Sequence, residues 1–449
     1  MNVLKHTMER RRILAGLLGG GALAACPVGL STMLASMQAA AQTSGSYKAL
    51  VTIFLFGGND SFNMLVPNDG RYADYANSRG SSLRIPQASL LGLNGTGLGM
   101  HPQMPQLQAL FNSQRAAMVV NAGTMLQPVT RSEYLAGSAA LPPQLFSHLD
   151  QQFQWQTGRA DQLANQGWIG RIADLLGSQN VNQTLPMNVS FGGANTLQTG
   201  TNAVPYAAST DEEVAGISMF TDDPTVRQRH ERMLNYSRGP LATEYRRNRL
   251  RTQGNFEQVS TALSNAPILQ TQFPMSGVGQ QLATVARYLA VHGTLGFQRQ
   301  TFFVAHGGYD THSAQATDHP MLLSELDTAV KAFYDATVEL GMEQQVTTAI
   351  LSDFGRTLSI NGDGTDHGWG GHYFAVGGAV NSGIYGTFPD LVINGPDDTS
   401  GGALIPTTAL EEYGATLARW FGVADAELDT IFPNLNRFDR RDLGFMTAG

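Results

Sequence analysis

Residues 49–56, Ala-Leu-Val-Thr-Ile-Phe-Leu-Phe, form a near-continuous apolar run that is rich in β-branched and aromatic side chains. A strand buried on both faces has this composition, whereas a strand with one solvated face alternates apolar and polar residues. Five further segments are strand candidates, and helical patterns lie between them. This alternation of strands and helices predicts an α/β sandwich with a mostly parallel central sheet.

The predicted strands and helices follow one another along the chain after its first forty residues. The further predicted strands cover residues 117–121, 187–191, 300–305, 346–351 and 373–376. The predicted helices cover residues 103–112, 161–176, 280–292, 322–340 and 407–421. We find no internal repeat and no long linker, so we expect a single domain over 42–449, with a peripheral helical insertion near 207–275.

The composition excludes several classes of protein. Charged residues make up 14% of the chain and hydrophobic residues 42%, which is incompatible with a disordered, collagenous or fully membrane-embedded chain. The chain has a net charge of −8, and its sequence shows no basic stripe that would bind a nucleic-acid backbone. We therefore expect no nucleic-acid partner. The single cysteine excludes an internal disulfide framework and a cysteine-built zinc site.

The N-terminus has the pattern of an export signal. Arg10, Arg11 and Arg12 precede an uncharged run over 13–41 that ends in three alanines. We therefore predict a twin-arginine signal peptide over 1–41 and a periplasmic or secreted protein. An alternative is a lipoprotein box, Leu-Ala-Ala-Cys, with a lipid on Cys26. In either case we expect contact with the membrane only through the signal peptide or this lipid.

Acidic and imidazole side chains follow several predicted strands, and five of the ten histidines fall between 306 and 372. In open α/β sheets ligands bind beyond the carboxyl ends of the strands. Carboxylates gathered there repel each other unless a cation or protons intervene. A mixture of Asp and His suits zinc, manganese or iron, and we expect one or two divalent ions, zinc or manganese. The candidate ligands are Asp60, Asp310, His312, Asp353, Asp366, His367 and His372.

Each of these candidate residues also has a structural interpretation that involves no metal. Asp310-Thr311-His312 is compatible with a surface turn, Asp60 with a helix cap, and Asp353 with an ion pair to Arg356. Ser147 is either an N-cap or a hydroxyl nucleophile at a helix N-terminus, where backbone N–H groups hold an anionic oxygen.

Arg356 is either a structural ion-pair partner or a bidentate clamp for an oxyanion. Ser147 and Arg356 are therefore the candidate catalytic residues. His101 and His148 either support the ligands of the site or are structural, and we favour the structural role.

Taken together, the motifs at 54–60, 307–312, 352–356 and 364–368 resemble, in sequence and order, a bacterial twin-arginine-exported family known as domain of unknown function 1501. The resemblance spans residues 7–438 and includes the segments 167–171 and 432–435. That family is similar to the alkaline phosphatase and sulfatase superfamily. The resemblance therefore implies a three-layer α/β/α sandwich with two metals at the strand ends.

The resemblance also implies roles for individual residues. Asp60 would bind one metal, and Asp310 with His312 would bind the other. Asp353 and His367 would match a further carboxylate and the last histidine. Two departures stand out: the superfamily pair is spaced more widely than Asp310 and His312, and Phe354 stands where a histidine usually follows Asp353. One ligand is therefore either lost or supplied by Asp366 or His372.

These observations lead to a main functional hypothesis and two rivals. The main one is an exported metal-dependent hydrolase of phosphate or sulfate esters, whose substrate is an anionic ester. The second is a catalytically degenerate envelope protein that uses the same site to bind a glycan or a protein. The third is a metal-free exported scaffold.

Overall fold

The computed structural model of the chain describes residues 47–210, 223–236 and 239–447. The predicted signal peptide and Cys26 lie outside these residues, as does the stretch 211–222 of the expected insertion. Within the described ranges, no helix combines the length and the apolar character needed to cross a bilayer.

The strands of the described residues range from two to eight residues in length. In chain order they are β1 (Lys48–Leu55), β2 (Leu65–Pro67), β3 (Leu91–Gly92), β4 (Leu98–Met100), β5 (Ala116–Gly123), β6 (Asn188–Ser190), β7 (Tyr206–Ala207), β8 (Arg299–His306), β9 (Val346–Ser352), β10 (Arg356–Ile360), β11 (Thr365–His367), β12 (Gly371–Gly377), β13 (Gly383–Tyr385) and β14 (Thr408–Ala409).

Among the described residues, nine strands form one large sheet in the order β13-β5-β12-β9-β1-β8-β6-β7, with β14 beside β5. Only β12 runs antiparallel to its neighbours in this sheet, and the other pairs are parallel. All residues of β5, β9 and β12 are buried, so other elements cover the sheet on both faces. The prediction of an α/β sandwich with a mostly parallel central sheet is confirmed.

Helices supply the covering layers. In chain order they are α1 (Ser61–Met64), α2 (Tyr72–Leu83), α3 (Pro105–Asn112), α4 (Arg131–Leu135), α5 (His148–Thr157), α6 (Trp168–Leu176), α7 (Pro224–Tyr236), α8 (Pro240–Ser264), α9 (Gly277–Ala290), α10 (His292–Leu295), α11 (Gln315–Glu339), α12 (Leu410–Phe421) and α13 (Leu428–Ile431). Helix α9 packs on β8 and α11, while α12 packs on β5 and β1.

The three central strands end level with one another. Leu55, the last residue of β1, is in register with His306 of β8 on one side and with Ser352 of β9 on the other. The loops that follow these strands therefore begin at the same edge of the sheet. This register brings together the polar segments that lie far apart in the chain.

Candidate metal centre

Gly57 lets two of these loops touch. Its φ of +115° is a conformation that L side chains rarely adopt, and a Cβ there would lie 2.3 Å from the backbone nitrogen of Asp310. The Gly57 N–H donates to Asp353 Oδ2 at 3.2 Å, and its carbonyl accepts from Arg356 Nη1 at 2.9 Å. The loop after β1 thus contacts the loops after both neighbouring strands.

The hairpin of β10 and β11 delivers a histidine to the same edge. Arg356 pairs with His367 across the hairpin. Gly364, just before β11, lies so close to His312 that a Cβ would be 2.3 Å from the His312 carbonyl carbon. Backbone contact at this glycine places His312 and His367 side by side.

Four side chains converge at this edge, and we call them the Asp310 cluster: His148, Asp310, His312 and His367. Asp310 Oδ1 lies 3.3 Å from His148 Nε2, 3.1 Å from His312 Nε2 and 3.4 Å from His367 Nε2. The Nε2 atoms of His312 and His367 are 2.8 Å apart. One carboxylate oxygen is therefore surrounded by three imidazole nitrogens.

The His148 ring is oriented by a buried carboxylate. Its Nδ1 lies 2.6 Å from Asp353 Oδ2, which also accepts from Gln152 Nε2 at 2.8 Å. With the Nδ1 proton donated to Asp353, the lone pair of His148 Nε2 faces the cluster. This Nε2 is buried and makes no hydrogen bond. A histidine held this way is a common arrangement in metal sites.

The rings of His312 and His367 are also oriented by an acceptor at Nδ1. His367 Nδ1 donates to the Phe146 carbonyl at 2.8 Å, and His312 Nδ1 lies 3.2 Å from Asp366 Oδ1. Phe146 has a φ of +72°, an uncommon conformation for a non-glycine residue. Because both Nδ1 atoms face acceptors, two Nε2 lone pairs point at each other. Such a pair repels unless a proton or a cation lies between the rings.

The donor set and its spacing fit a divalent metal ion. Ligands at ~2.0–2.2 Å from a tetrahedral centre lie about 3.3–3.6 Å apart. The three distances from Asp310 Oδ1 match this range to within about 0.2 Å, whereas the 2.8 Å between the Nε2 atoms of His312 and His367 is too short for two ligands of one ion. His148, Asp310 and His367 alone offer three ligand atoms within 4.8 Å of one another. Three imidazoles and one carboxylate suit zinc or manganese better than calcium or magnesium.

Burial and neighbouring groups shift the pKa values of three residues of the cluster. Burial tends to raise the pKa of Asp310, but the hydrogen bond and charge of Arg356 outweigh it and hold this pKa below its usual value. The hydrogen bond to Asp353 raises the pKa of His148, whereas burial lowers the pKa of His367. Asp310 is thus kept ionised, as a metal ligand must be.

The cluster is open to solvent on one side. The side chains of Asp310 and His312 are 47% and 42% exposed, while those of His148 and His367 are 28% and 26% exposed. Asp353 behind them is fully buried. Asp310 and His312 are therefore the cluster residues most accessible to a solute.

The structure brings Asp310, His312 and His367 together, with Asp353 and Asp366 behind the rings of His148 and His312. It does not bring Asp60 to this cluster. The Asp60 carboxylate is fully buried and paired with Arg79 and Gln315, so both of its oxygens are engaged.

His372 also lies away from the cluster. It is buried beside the rings of Phe62 and Phe388, and its Nδ1 accepts from the Asn121 N–H at 3.1 Å. Burial lowers the pKa of His372 to about 3, so this ring is neutral at physiological pH.

Ser147 and Arg356, the two candidate catalytic residues, both have structural partners. Ser147 is the N-cap of α5, and its Oγ donates to Asp150 Oδ2 at 2.6 Å. The Arg356 guanidinium is buried and donates to the Gly57 carbonyl, to Asp310 Oδ1 and to Thr365. Arg356 thus holds Asp310 in place.

Sequence reasoning missed His148, which it assigned a structural role. His148 follows no strand and opens a helix, so the strand-end rule does not find it. The available signal was its position directly after a helix-capping serine, since such a junction often faces a site. Arg79, the buried partner of Asp60, gave no signal in the sequence.

Comparison with solved structures finds similarity at low identity. A Bacteroides thetaiotaomicron protein of glycosaminoglycan metabolism is 10% identical, with 85% of this chain and 74% of that one covered and a TM-score of 0.35. A sulfatase from a Pseudoalteromonas species is 11% identical, with 90% and 73% covered and a TM-score of 0.33. The Silicibacter pomeroyi phosphonate monoester hydrolase is 11% identical, with 84% and 73% covered and a TM-score of 0.34. Similarity at this level assigns neither an activity nor a ligand.

Comparison with sequences gives a firmer result. No curated protein matches the chain significantly. The model of a family described as "protein of unknown function (DUF1501)" matches residues 47–400, which include Gly57, Gly364 and every residue of the Asp310 cluster. The chain therefore belongs to the DUF1501 family.

Proposed function

We propose that this protein is an exported, metal-dependent hydrolase of phosphate or sulfate esters. The observation that carries the proposal is the Asp310 cluster, in which three imidazole nitrogens surround one carboxylate oxygen at the spacing of metal ligands. The order of the strand-end motifs, which resembles that of the alkaline phosphatase and sulfatase superfamily, supports the choice of substrate class.

His148, Asp310, His312 and His367 would hold the ion. A divalent ion there acts as a Lewis acid that polarises an ester oxygen and lowers the pKa of water. Arg356 keeps Asp310 ionised and fixed, and Asp353 keeps the Nε2 lone pair of His148 directed inward. The fully buried Asp353 limits solvent access to the back of the cluster.

The attacking group is either Ser147 or a water molecule. Ser147 directly precedes a cluster residue, and its hydroxyl proton is already held by the Asp150 carboxylate at 2.6 Å. A hydroxyl and a carboxylate at this distance have the geometry of a nucleophile and its base. The same hydroxyl also accepts from the Asp150 N–H at 3.5 Å as the N-cap of α5, so substitutions at Ser147 are needed to separate the two roles.

Export is proposed from the N-terminus of the sequence. The three arginines at 10–12 and the uncharged run that follows have the order of a twin-arginine signal. Expression of the full chain in cells with and without that pathway tests this part. We expect the shortened protein in the periplasm or medium only when the pathway is present.

A second candidate function is binding without catalysis. Arg356, the arginine next to the cluster, makes four hydrogen bonds to protein atoms with its five N–H donors, so it has no pair of donors left for a bidentate clamp on a sulfate or phosphate group. An envelope glycan or protein bound at the same open face would need no such clamp. Retained metal with no ester hydrolysis, together with capture of a polysaccharide, would favour this alternative.

Metal analysis of protein purified without chelators is the first test. We expect close to one equivalent of transition metal, lost in Asp310→Asn and retained in Asp74→Asn, which changes an exposed carboxylate of α2. A panel of phosphate monoesters, phosphate diesters and sulfate esters then identifies the reaction. Less than about a tenth of an equivalent of metal, with none taken up on addition, would leave only the metal-free scaffold.

A further inference from the structure

Helices α7 and α8 carry an unusual concentration of positive charge. Residues 223–254 contain eight of the 28 basic residues of the chain and only three acidic ones, although the whole chain has a net charge of −8. Both helices are exposed along most of this stretch. A basic surface on an acidic protein indicates a partner with negative charge.

The second half of α8 is anchored in the main core, and its first half is not. Val259 and Leu263 are buried in the core, while most residues from 240 to 254 are exposed. Leu241 and Tyr245 fall on the same helical face as Val259 and Leu263, because α-helical positions four or eighteen residues apart share a face. Asn248, Thr252 and Asn255 occupy this face between the two pairs, so Leu241 and Tyr245 form a separate apolar patch at the exposed start of the helix.

Large apolar side chains are exposed near the junction of α7 and α8. Leu241 is 88% exposed and Tyr245 is 60% exposed, and Tyr236 at the end of α7 is 87% exposed. Isolated exposed apolar residues are common in soluble proteins. Leu241 and Tyr245 lie one turn apart on α8 beside exposed arginines of the same helix, so this part of α8 has both apolar and cationic character.

The arginines occupy the remaining sides of α8. Arg247 pairs with Glu244 in the same helix, and Arg251 donates to Asn248, while Arg246 is exposed. Exposed pairs of this kind are worth little, so they do not prevent the side chains from binding another anion. Long arginine side chains reach past an apolar stripe to contact charged groups at its margin.

We propose that the exposed part of α8 over 240–254 binds an anionic lipid membrane at its headgroup level, a contact in addition to the signal peptide or lipid expected from the sequence. A helix with apolar residues on one side and arginines on the others lies in the interface plane of such a membrane. A soluble polyanion would be held by the arginines alone and would leave Leu241 and Tyr245 in water. The combination of both features therefore favours lipid, and it is independent of the function proposed for the Asp310 cluster.

Vesicle flotation tests this inference with the full chain in every arm, so that the N-terminal segment is common to all. We expect binding to phosphatidylglycerol-containing vesicles, weakened by high salt, and little binding to pure phosphatidylcholine. The triple variant Arg246→Glu, Arg247→Glu, Arg251→Glu should bind on the order of 100-fold more weakly. A control with the same charge change, Arg71→Glu, Arg84→Glu, Arg437→Glu, should bind as the unmodified chain does.

A second pair of substitutions separates lipid from other anions. Leu241→Ser with Tyr245→Ser should reduce vesicle binding and leave any binding to heparin unchanged. Heparin binding without flotation would instead assign the surface to a soluble polyanion. Equal flotation of the arginine triple variant and its control would overturn the proposal. Circular dichroism and melting temperatures confirm that each variant is folded, and the substituted side chains are exposed.

Discussion

Glu411 is a buried carboxyl group whose ionisation makes the stability of the protein depend on pH. It is the second residue of α12, it is fully buried, and neither carboxylate oxygen has a hydrogen-bond partner. Burial, assisted by the charges of Asp161 and Glu412, raises the pKa of Glu411 to about 8. The folded protein therefore holds a proton here that the unfolded chain releases near pH 4.5.

This difference sets a pH dependence of stability. The contribution of protonated Glu411 is fully present below about pH 4.5 and is lost as the pH rises through about 8, because ionisation then favours the unfolded chain. Glu411→Gln keeps the shape of the neutral acid without the ionisation. We expect it to raise the melting temperature at pH 8 and to leave it nearly unchanged at pH 4.5.

Melting curves of Glu411→Gln and of Glu244→Gln across pH 4.5–8.5 check this expectation. Glu244 is an exposed residue of α8, so its substitution should follow the unmodified protein at every pH. An identical pH dependence for Glu411→Gln and the unmodified protein would mean that Glu411 is not protonated in the folded state.

Among the elements, α5 connects stability to the candidate site. Ser147 caps its N-terminus, and His148 is its first residue. Ser147→Ala should lower the free energy of unfolding by about 1 kcal/mol, and Ser147→Asp, which also caps a helix, should restore it. Thermal or denaturant unfolding of both variants measures this, with their metal content unchanged.

The same two variants identify the attacking group. Ser147→Asp keeps the cap and removes the hydroxyl. A loss of turnover of about a thousandfold or more in both variants, with metal retained, would assign the attack to Ser147. Turnover near that of the unmodified protein in Ser147→Asp would assign it to water.

The bounds of the strands and helices show which elements the sequence patterns predict accurately. The central strands lie within one or two residues of their predicted bounds, because they are buried on both faces and their apolar runs are continuous. The helix predicted over 161–176 begins only at Trp168, since Asp161 instead accepts bonds from Arg159 and Asn434. The helix predicted from 322 begins at Gln315 and includes Pro320, a residue that normally signals a helix end.

For the candidate site, the sequence predicts the groups at strand ends and misses those placed by packing. Asp310 and His312 follow from the rule that ligands gather at the carboxyl ends of parallel strands, whereas His367 lies in the antiparallel hairpin of β10 and β11. His148 arrives from a helix start. The pairing of Asp60 with Arg79 depends on how α2 packs against β10 and β2, which local patterns do not encode.

At the scale of the whole molecule, the proposed ion should stabilise the fold. A ligand that binds only the folded state raises its stability by about 2.7 kcal/mol at a hundredfold excess over Kd. Removal of metal with a chelator should therefore lower the melting temperature by a few degrees, and restored metal should reverse the change. Asp310→Asn should show no response to either treatment.

Differential scanning calorimetry with and without chelator measures this response, with Asp74→Asn as the control that should behave as the unmodified chain does. A melting temperature that is unaffected by chelator in the unmodified protein would contradict a stabilising ion and would favour a metal-free scaffold.

The donors of the Asp310 cluster come from residues 148, 310, 312 and 367, and they meet only after the long-range pairing of β1, β8 and β9 is complete. A nascent chain that ends before residue 367 lacks one of these four donors. The ion proposed for this site would therefore be bound late, and the cellular space in which the sheet assembles would decide which ion is available to it.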